Sequence, residues 1–242
     1  MTLLVDIGNT RTKYILTRAI YTDKSKVVDN PDINFDWLNG HFKDVKRICI
    51  SCVTGNTLLK TISDWADDKD IDLKIIESEE KRYGLVSSYQ QPKKLGVDRW
   101  LVMIGALNLY PDKDILIVDA GTATTIDLLS STGKHQGGWI IPGINLMIDS
   151  LLANTSKIEV KSELNPSISF GQNTNTNVNN GSWAAIIGAI NLAVSQASKH
   201  PNSFDLILLT GGNARYIETL LEHKVIIEEN LIFHGLQRYN LD

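Results

Sequence analysis

Apolar residues in this chain cluster into short strand-like runs separated by stretches of helical period. Leu3-Leu4-Val5-Asp6-Ile7 and Tyr14-Ile15-Leu16 read as two strands joined by a short polar turn, with Asp6 at its lip. Asn30-Pro31-Asp32 marks a turn, and Phe35 to Leu38 forms a short helix. Val45 to Val53 is a buried strand, and Thr57 to Ala66 carries Leu58, Leu59, Ile62, Trp65 and Ala66 at helical spacing. Ile71 to Ile76 supplies another strand, so strand and helix alternate as in an α/β layer fold. Pro92 forces extended geometry on its predecessor, which makes Tyr89 to Leu95 a loop. From Gly96-Val97-Asp98-Arg99 a helix runs through Leu107, apolar almost all round and therefore buried.

Pro111-Asp112-Lys113 breaks the pattern and sets the expected boundary, with one domain over 1–113 and a second over 114–242. Asp114 to Val118 and Thr124 to Leu129 are strands, and Gly137 to Gly143 is a strand framed by glycines, followed by a helix over Ile144 to Leu152. Asn173 to Gly181 is polar enough to read as a loop, and a long helix starts at Ser182. Its small residues, Ala184, Ala185, Gly188, Ala189 and Ala193, suit close helix–helix approach, and its apolar residues cover more than one face. A strand over Phe204 to Leu209, a helix over Arg215 to Glu222 and the segment Asn230 to Leu236 complete the chain.

The opening turn has a second copy. Val5-Asp6-x-Gly8 overlays Val118-Asp119-x-Gly121, and without a gap Thr12 falls on Thr125. A single Asp-x-Gly turn is common hairpin chemistry. Two copies, one opening each half, point to an internal duplication and to paired domains facing each other across a ligand cleft. Gly8 is free to take a positive φ and to let a ligand approach the backbone, and the turn can offer a row of N–H groups to an anion. The glycines of Thr210-Gly211-Gly212 offer the same access. Asp98 beside Arg99 reads either as dipole-complementing capping or as chemistry.

Composition narrows the field. With 43% hydrophobic and 21% charged residues the 242-residue chain is of globular type, and its net charge of −4 advertises neither nucleic acid nor an anionic membrane as partner. Met1 leads directly into strand-like sequence, so no leader is read and the cytoplasm is the expected compartment. Cys49 and Cys52 lie in an alternating strand, where an odd offset puts them on opposite faces, and no second pair completes a zinc site. The histidines are scattered without ligand spacing, and Asp67-Asp68-Lys69-Asp70 reads as a solvated helix end.

Five motifs together carry a resemblance. Asp6-Ile-Gly-Asn-Thr-Arg-Thr-Lys13, Leu95-Gly-Val-Asp-Arg-Trp100, Asp119-Ala-Gly-Thr-Ala-Thr-Thr-Ile-Asp127, Gly137-Gly-Trp-Ile-Ile-Pro-Gly143 and Thr210-Gly-Gly212 occur in the order of the type III pantothenate kinases, and Asn230 to Leu236 resembles that family's ending. The resemblance implies duplicated actin-like (ribonuclease H-like) α/β domains, mixed sheets flanked by helices, with nucleotide in the interdomain cleft. It implies ATP-dependent phosphorylation of pantothenate, the first step towards coenzyme A. Asp6, Ile7, Gly8, Asn9, Thr10, Arg11, Thr12, Lys13 and Thr122 would bind ATP. Tyr89, Gly96, Val97, Asp98, Arg99 and Thr174 would contact pantothenate, with Asp98 as the catalytic carboxylate. Asp119 would hold a monovalent cation, K+ or NH4+, and Asp6 would serve Mg2+, directly or through water. A homodimer with its substrate pocket at the subunit interface is implied, with Thr174 reaching into the partner's pocket. Asn154 to Ile158 and the Asn-rich run after Thr174 depart from the family's usual residues. The rival expectations are a non-catalytic nucleotide-binding regulator and a kinase for another small hydroxy acid.

Overall fold

The computed structural model describes residues 1–53, 55–154, 165–199 and 204–241, so most of the departing 154–158 segment lies outside the described residues. The chain divides into two compact units: Met1–Asp112 together with the segment from Glu229 onward, and Lys113–Glu228.

In the first unit, β1 (Thr2–Ile7), β2 (Arg11–Leu16) and β3 (Lys26–Asp29) form an antiparallel meander. After α1 (Phe35–His41), β4 (Arg47–Cys52) joins β1 in parallel; after α2 (Asn56–Asp68), β5 (Asp72–Ile75) joins β4 in parallel. The sheet order is β3-β2-β1-β4-β5. Leu3, Val5, Ile7, Ile48 and Ile50 face a core closed by Leu38, Ile62 and Trp65 of α1 and α2. A short hairpin, β6 (Lys81–Arg82) with β7 (Leu85–Val86), precedes α3 (Val97–Leu109), which is buried from Arg99 to Ala106. β3 went unread in the sequence because an edge strand with exposed Lys26 and Val27 lacks the buried run that marks a central one.

The second unit repeats this plan. β8 (Ile115–Ala120), β9 (Ala123–Leu129) and β10 (His135–Pro142) form the meander; α4 (Ile144–Ala153) and α5 (Thr174–Ala197) follow, then β11 (Leu206–Thr210), α6 (Ala214–Leu220) and β12 (Ile226–Ile227). The order β10-β9-β8-β11-β12, with two antiparallel then two parallel pairings, matches the first sheet strand for strand. Leu116, Val118, Ile126, Ile207 and Leu209 pack against Trp183, Ile186, Ile187 and Ile190 of α5 and Ile217 of α6.

Two expectations are corrected. The polar run Asn173–Gly181 is no loop: α5 begins at Thr174. Asn173 is its N-cap, accepting from the Thr176 N–H at 2.9 Å while its own N–H reaches the Thr176 hydroxyl at 3.3 Å. The Asn179 amide donates to the Asn175 carbonyl at 2.9 Å, so these side chains bond the helix's own backbone rather than diverting it. The final helix, α7 (Leu231–Asn240), lies in the first unit, not in a domain spanning 114–242. Gly105 of α3 and Gly235 of α7 let the two helices meet backbone to backbone: a Cβ at Gly105 would strike the Leu231 carbonyl, and one at Gly235 the Leu101 carbonyl. Trp100, fully buried, donates to the Tyr239 hydroxyl at 2.8 Å, and that hydroxyl donates to Glu79 at 3.1 Å.

Cys49 is buried and Cys52 partly so, both as free thiols. Burial pushes the Cys49 thiol up to about 11, against the downward pull of Arg47 and Lys74. No helix of the described residues is long and apolar enough to cross a membrane.

Candidate active site

The first hairpin turn is built for close approach. Gly8 donates its N–H to the Arg11 carbonyl at 3.0 Å, leaving Asn9 and Thr10 exposed at the tip. Gly8 does not take the positive φ that its sequence position allowed. Glycine instead eases a close approach, since a Cβ there would sit 3.0 Å from the Arg11 carbonyl oxygen. Asp6 pairs across the sheet with Lys13 on β2 and with Ser51 on β4. The Ser51 hydroxyl donates to its carboxylate at 2.9 Å. Ile7 is buried, and Arg11 donates to Asp29 at 3.0 Å on the exposed edge. Thr12 is only 2% exposed, and its hydroxyl donates to Asn30 Oδ1 at 2.8 Å.

Alternation puts Leu4 and Asp6 on the face opposite the α1–α2 core. α7 packs on β1 and β4 from that opposite side, and α3 packs on β4. The start of α3 lies at the same end of the sheet as Asp6. Cys52 and Val53 at the exit of β4 line a cavity of about 510 Å3 together with Gly96 and Val97. Gly96 caps α3, and any larger residue would put its Cβ 2.5 Å from Asp98 Oδ1. Asp98 accepts from the Arg99 N–H at 2.8 Å in the helix's first turn, where a carboxylate also meets the positive end of the dipole. The Arg99 guanidinium, 4% exposed, donates to the Tyr89 hydroxyl at 2.7 Å and lies 5.7 Å from the centre of its ring. Asp6 therefore sits where β1 ends, and the N-terminal end of α3 adjoins the exit of the neighbouring β4, with Arg99, next to Asp98, joined to Tyr89.

The second hairpin turn is one residue shorter. Gly121 donates to the Ala123 carbonyl at 3.0 Å, and Asp119 pairs with Thr125 where Asp6 pairs with Lys13. The ungapped overlay therefore slips by one on the return strand, and Thr124, buried at 2%, is the counterpart of Thr12. Thr122 stands exposed at the tip. Asp119 pairs with Thr210 on β11, and the next residue, Gly211, has φ +87°. A Cβ on Gly211 would lie 2.5 Å from Asp119 Oδ1, so the glycine leaves room beside the carboxylate. No group of three or more His, Cys, Asp or Glu side chains among the described residues is placed to hold a metal. Thr174, exposed at the first turn of α5, belongs to the second unit while Tyr89, Asp98 and Arg99 belong to the first.

Sequence reasoning missed Ser51 and Asn30. Ser51 had a signal, a lone hydroxyl in the buried run Ile48-Cys49-Ile50-Ser51 next to Asp6 in register. Asn30 read only as turn chemistry.

The doubled strand order, with an Asp-x-Gly turn after the first strand of each sheet, defines a protein of the duplicated actin-like α/β fold. A Sinorhizobium meliloti protein described as a 2-dehydro-3-deoxygalactonokinase shares it at TM-score 0.57 and 12% identity, over 98% of this chain and 97% of that one. A Campylobacter jejuni protein assigned to the Baf family of transcriptional activators superposes at TM-score 0.60 with 25% identity, over 98% of this chain and 96% of that one. The profile of the type III pantothenate kinases matches residues 2–196. A type III pantothenate kinase of Colwellia psychrerythraea is 39% identical over 249 aligned positions, covering 99% of this chain and all of the relative. The chain belongs to the type III pantothenate kinase family.

Proposed function

We propose that the protein transfers the γ-phosphoryl group of ATP to the primary hydroxyl of pantothenate, opening the route to coenzyme A. The observation that carries the reading is membership of this kinase family over nearly the whole chain, and the position of Asp6 at the exit of β1 and of Asp98 in the first turn of α3 supports it. Phosphoryl transfer asks the protein for alignment and charge neutralisation more than for covalent chemistry. The turn from Gly8 to Lys13, with Thr122 of the second turn, holds the nucleotide. Tyr89, Gly96, Val97 and Arg99 hold pantothenate, and Arg99 supplies positive charge beside Asp98. Asp98 orients the attacking hydroxyl and accepts its proton as the bond from phosphorus to ADP breaks.

Magnesium would be held at Asp6, and a monovalent cation, K+ or NH4+, at Asp119; when bound, they neutralise charge on the phosphates. The protein works as a cytoplasmic homodimer in which Thr174 completes the partner subunit's pantothenate pocket. ADP release that requires added pantothenate tests the activity, and Asp98→Asn lowers turnover about 10²–10⁴-fold. Near-normal turnover in that variant would remove Asp98 from the mechanism. The Campylobacter relative's description favours one second reading, a nucleotide-binding regulator. Nucleotide binding without ADP release on any hydroxy acid of a substrate panel would decide for it, and release with a different acid would reassign the acceptor.

A further inference from the structure

Three consecutive carbonyls of the first turn are captured by a single residue outside it. The Asn30 side-chain amide donates to the Gly8 carbonyl at 2.9 Å and to the Asn9 carbonyl at 3.3 Å. Its backbone N–H donates to the Thr10 carbonyl at 3.0 Å. Its remaining side-chain atom, Oδ1, accepts the buried Thr12 hydroxyl at 2.8 Å. Asn30 directly follows β3, and Asp29 before it holds Arg11.

In a trans peptide unit the C=O and the next N–H point in opposite directions, and no peptide bond here is cis. Carbonyls of residues 8, 9 and 10 turned toward Asn30 therefore turn the N–H groups of Asn9, Thr10 and Arg11 away from it. Successive N–H groups aimed one way are what an anion-binding nest requires. In an unbraced turn of this length each peptide plane rotates easily, and ordering it on binding costs conformational entropy.

We infer that Asn30, locked by the Thr12 hydroxyl, is a positioning residue that pre-sets the first turn for the nucleotide's phosphates. The inference rests on the kinase reading only in taking that turn as the nucleotide site. On it, Thr12 acts through Asn30 rather than by touching phosphate.

The test measures Mg·ATP affinity by calorimetry, and KM for each substrate, in wild type, Asn30→Ala, Asn30→Asp, Thr12→Val and Thr12→Ser. Asn30→Ala weakens Mg·ATP binding about tenfold, the scale of one to two hydrogen bonds, while KM for pantothenate stays within about twofold. Asn30→Asp keeps the acceptor for Thr12 but sets a carboxylate oxygen against two carbonyls, so it binds Mg·ATP at least as weakly. Thr12→Val weakens ATP binding in the same sense, and Thr12→Ser, which keeps the hydroxyl, restores it. Asn30→Ala combined with Thr12→Val falls short of the product of the single effects, because both break one brace.

Wild-type Mg·ATP affinity in a folded Asn30→Ala protein would overturn the inference. So would KM values for both substrates rising together with a fall in melting temperature, the mark of general loosening. Wild type that binds Mg·ATP without phosphorylating pantothenate would sink only the assigned acceptor, and the calorimetry would still decide on Asn30. Wild type that binds no nucleotide would sink both.

Discussion

The two Asp-x-Gly turns sit at the same place in matching sheets and are held by opposite means. The first is secured by a side chain: Asn30 reaches across from the edge of β3 and takes its carbonyls. The second is secured by backbone packed against backbone. Gly143 donates to the Thr122 carbonyl at 2.9 Å, and a Cβ there would lie 2.5 Å from both the Gly121 and Thr122 carbonyl oxygens. Gly211 closes on Asp119 and Ala120 from the other strand. Duplication thus preserved strand order and the position of the acid while the supports diverged. A turn held by an amide is sensitive to polarity; a turn held by contact is sensitive to volume.

Substitutions can separate the two cases. The largest effect is expected at Gly211→Ala, where a non-glycine residue at φ +87° costs about 1–3 kcal/mol of strain and crowding of Asp119 adds about 1–3 kcal/mol more. Denaturant midpoint and turnover should fall together, and a protein of wild-type stability and activity would contradict the packed second turn. Gly143→Ala lacks the strain term and should cost about 1–3 kcal/mol of stability by overpacking. Gly8→Ala, with its Cβ at 3.0 Å from one carbonyl, should cost less than about 1.5 kcal/mol. If Gly8→Ala lowered the melting temperature more than Gly143→Ala did, the contrast between the turns would be wrong. The mildest effect concerns pH. The Cys49 thiol is raised from 9.0 to about 11 by burial, so the unfolded chain loses that proton first, and stability falls as pH rises from about 9 to 11. Denaturant titrations across that window should show a downward slope that Cys49→Ala reduces, and an unchanged slope in the variant would discount this thiol.

The first two strands of one meander and all three of the other were legible in the sequence, because they run around turns whose Gly and Asn residues punctuate them, whereas the exposed edge strand β3 was not. Helix α3 was legible because thirteen residues with so few polar positions have nowhere to go but inside. Other features were hidden for physical reasons. The Asn-rich start of α5 has poor intrinsic propensity, and only the pairing of Asn173 with Thr176 shows that its side chains cap the helix. The return of α7 to the first unit is tertiary: nothing local to Leu231–Asn240 says which sheet it will cover. The slip between the two hairpins turns on one residue of turn length, which an ungapped overlay of Asp6 on Asp119 cannot register. Of the acids, Asp6 and Asp98 were flagged by neighbours in the sequence, whereas Asn30 was silent because its partners lie about twenty positions upstream.

The meeting of Gly105 with Gly235 has a consequence for biosynthesis. The first unit's sheet, helices and turn leave the ribosome early, yet one side of α3 stays bare until Leu231–Asn240 has been made. During translation the second unit has all its residues available before the first does. Ribosome-bound chains stalled before residue 229 should therefore carry a protease-sensitive first half, and the helix bearing Asp98 should become resistant only when the closing segment is released.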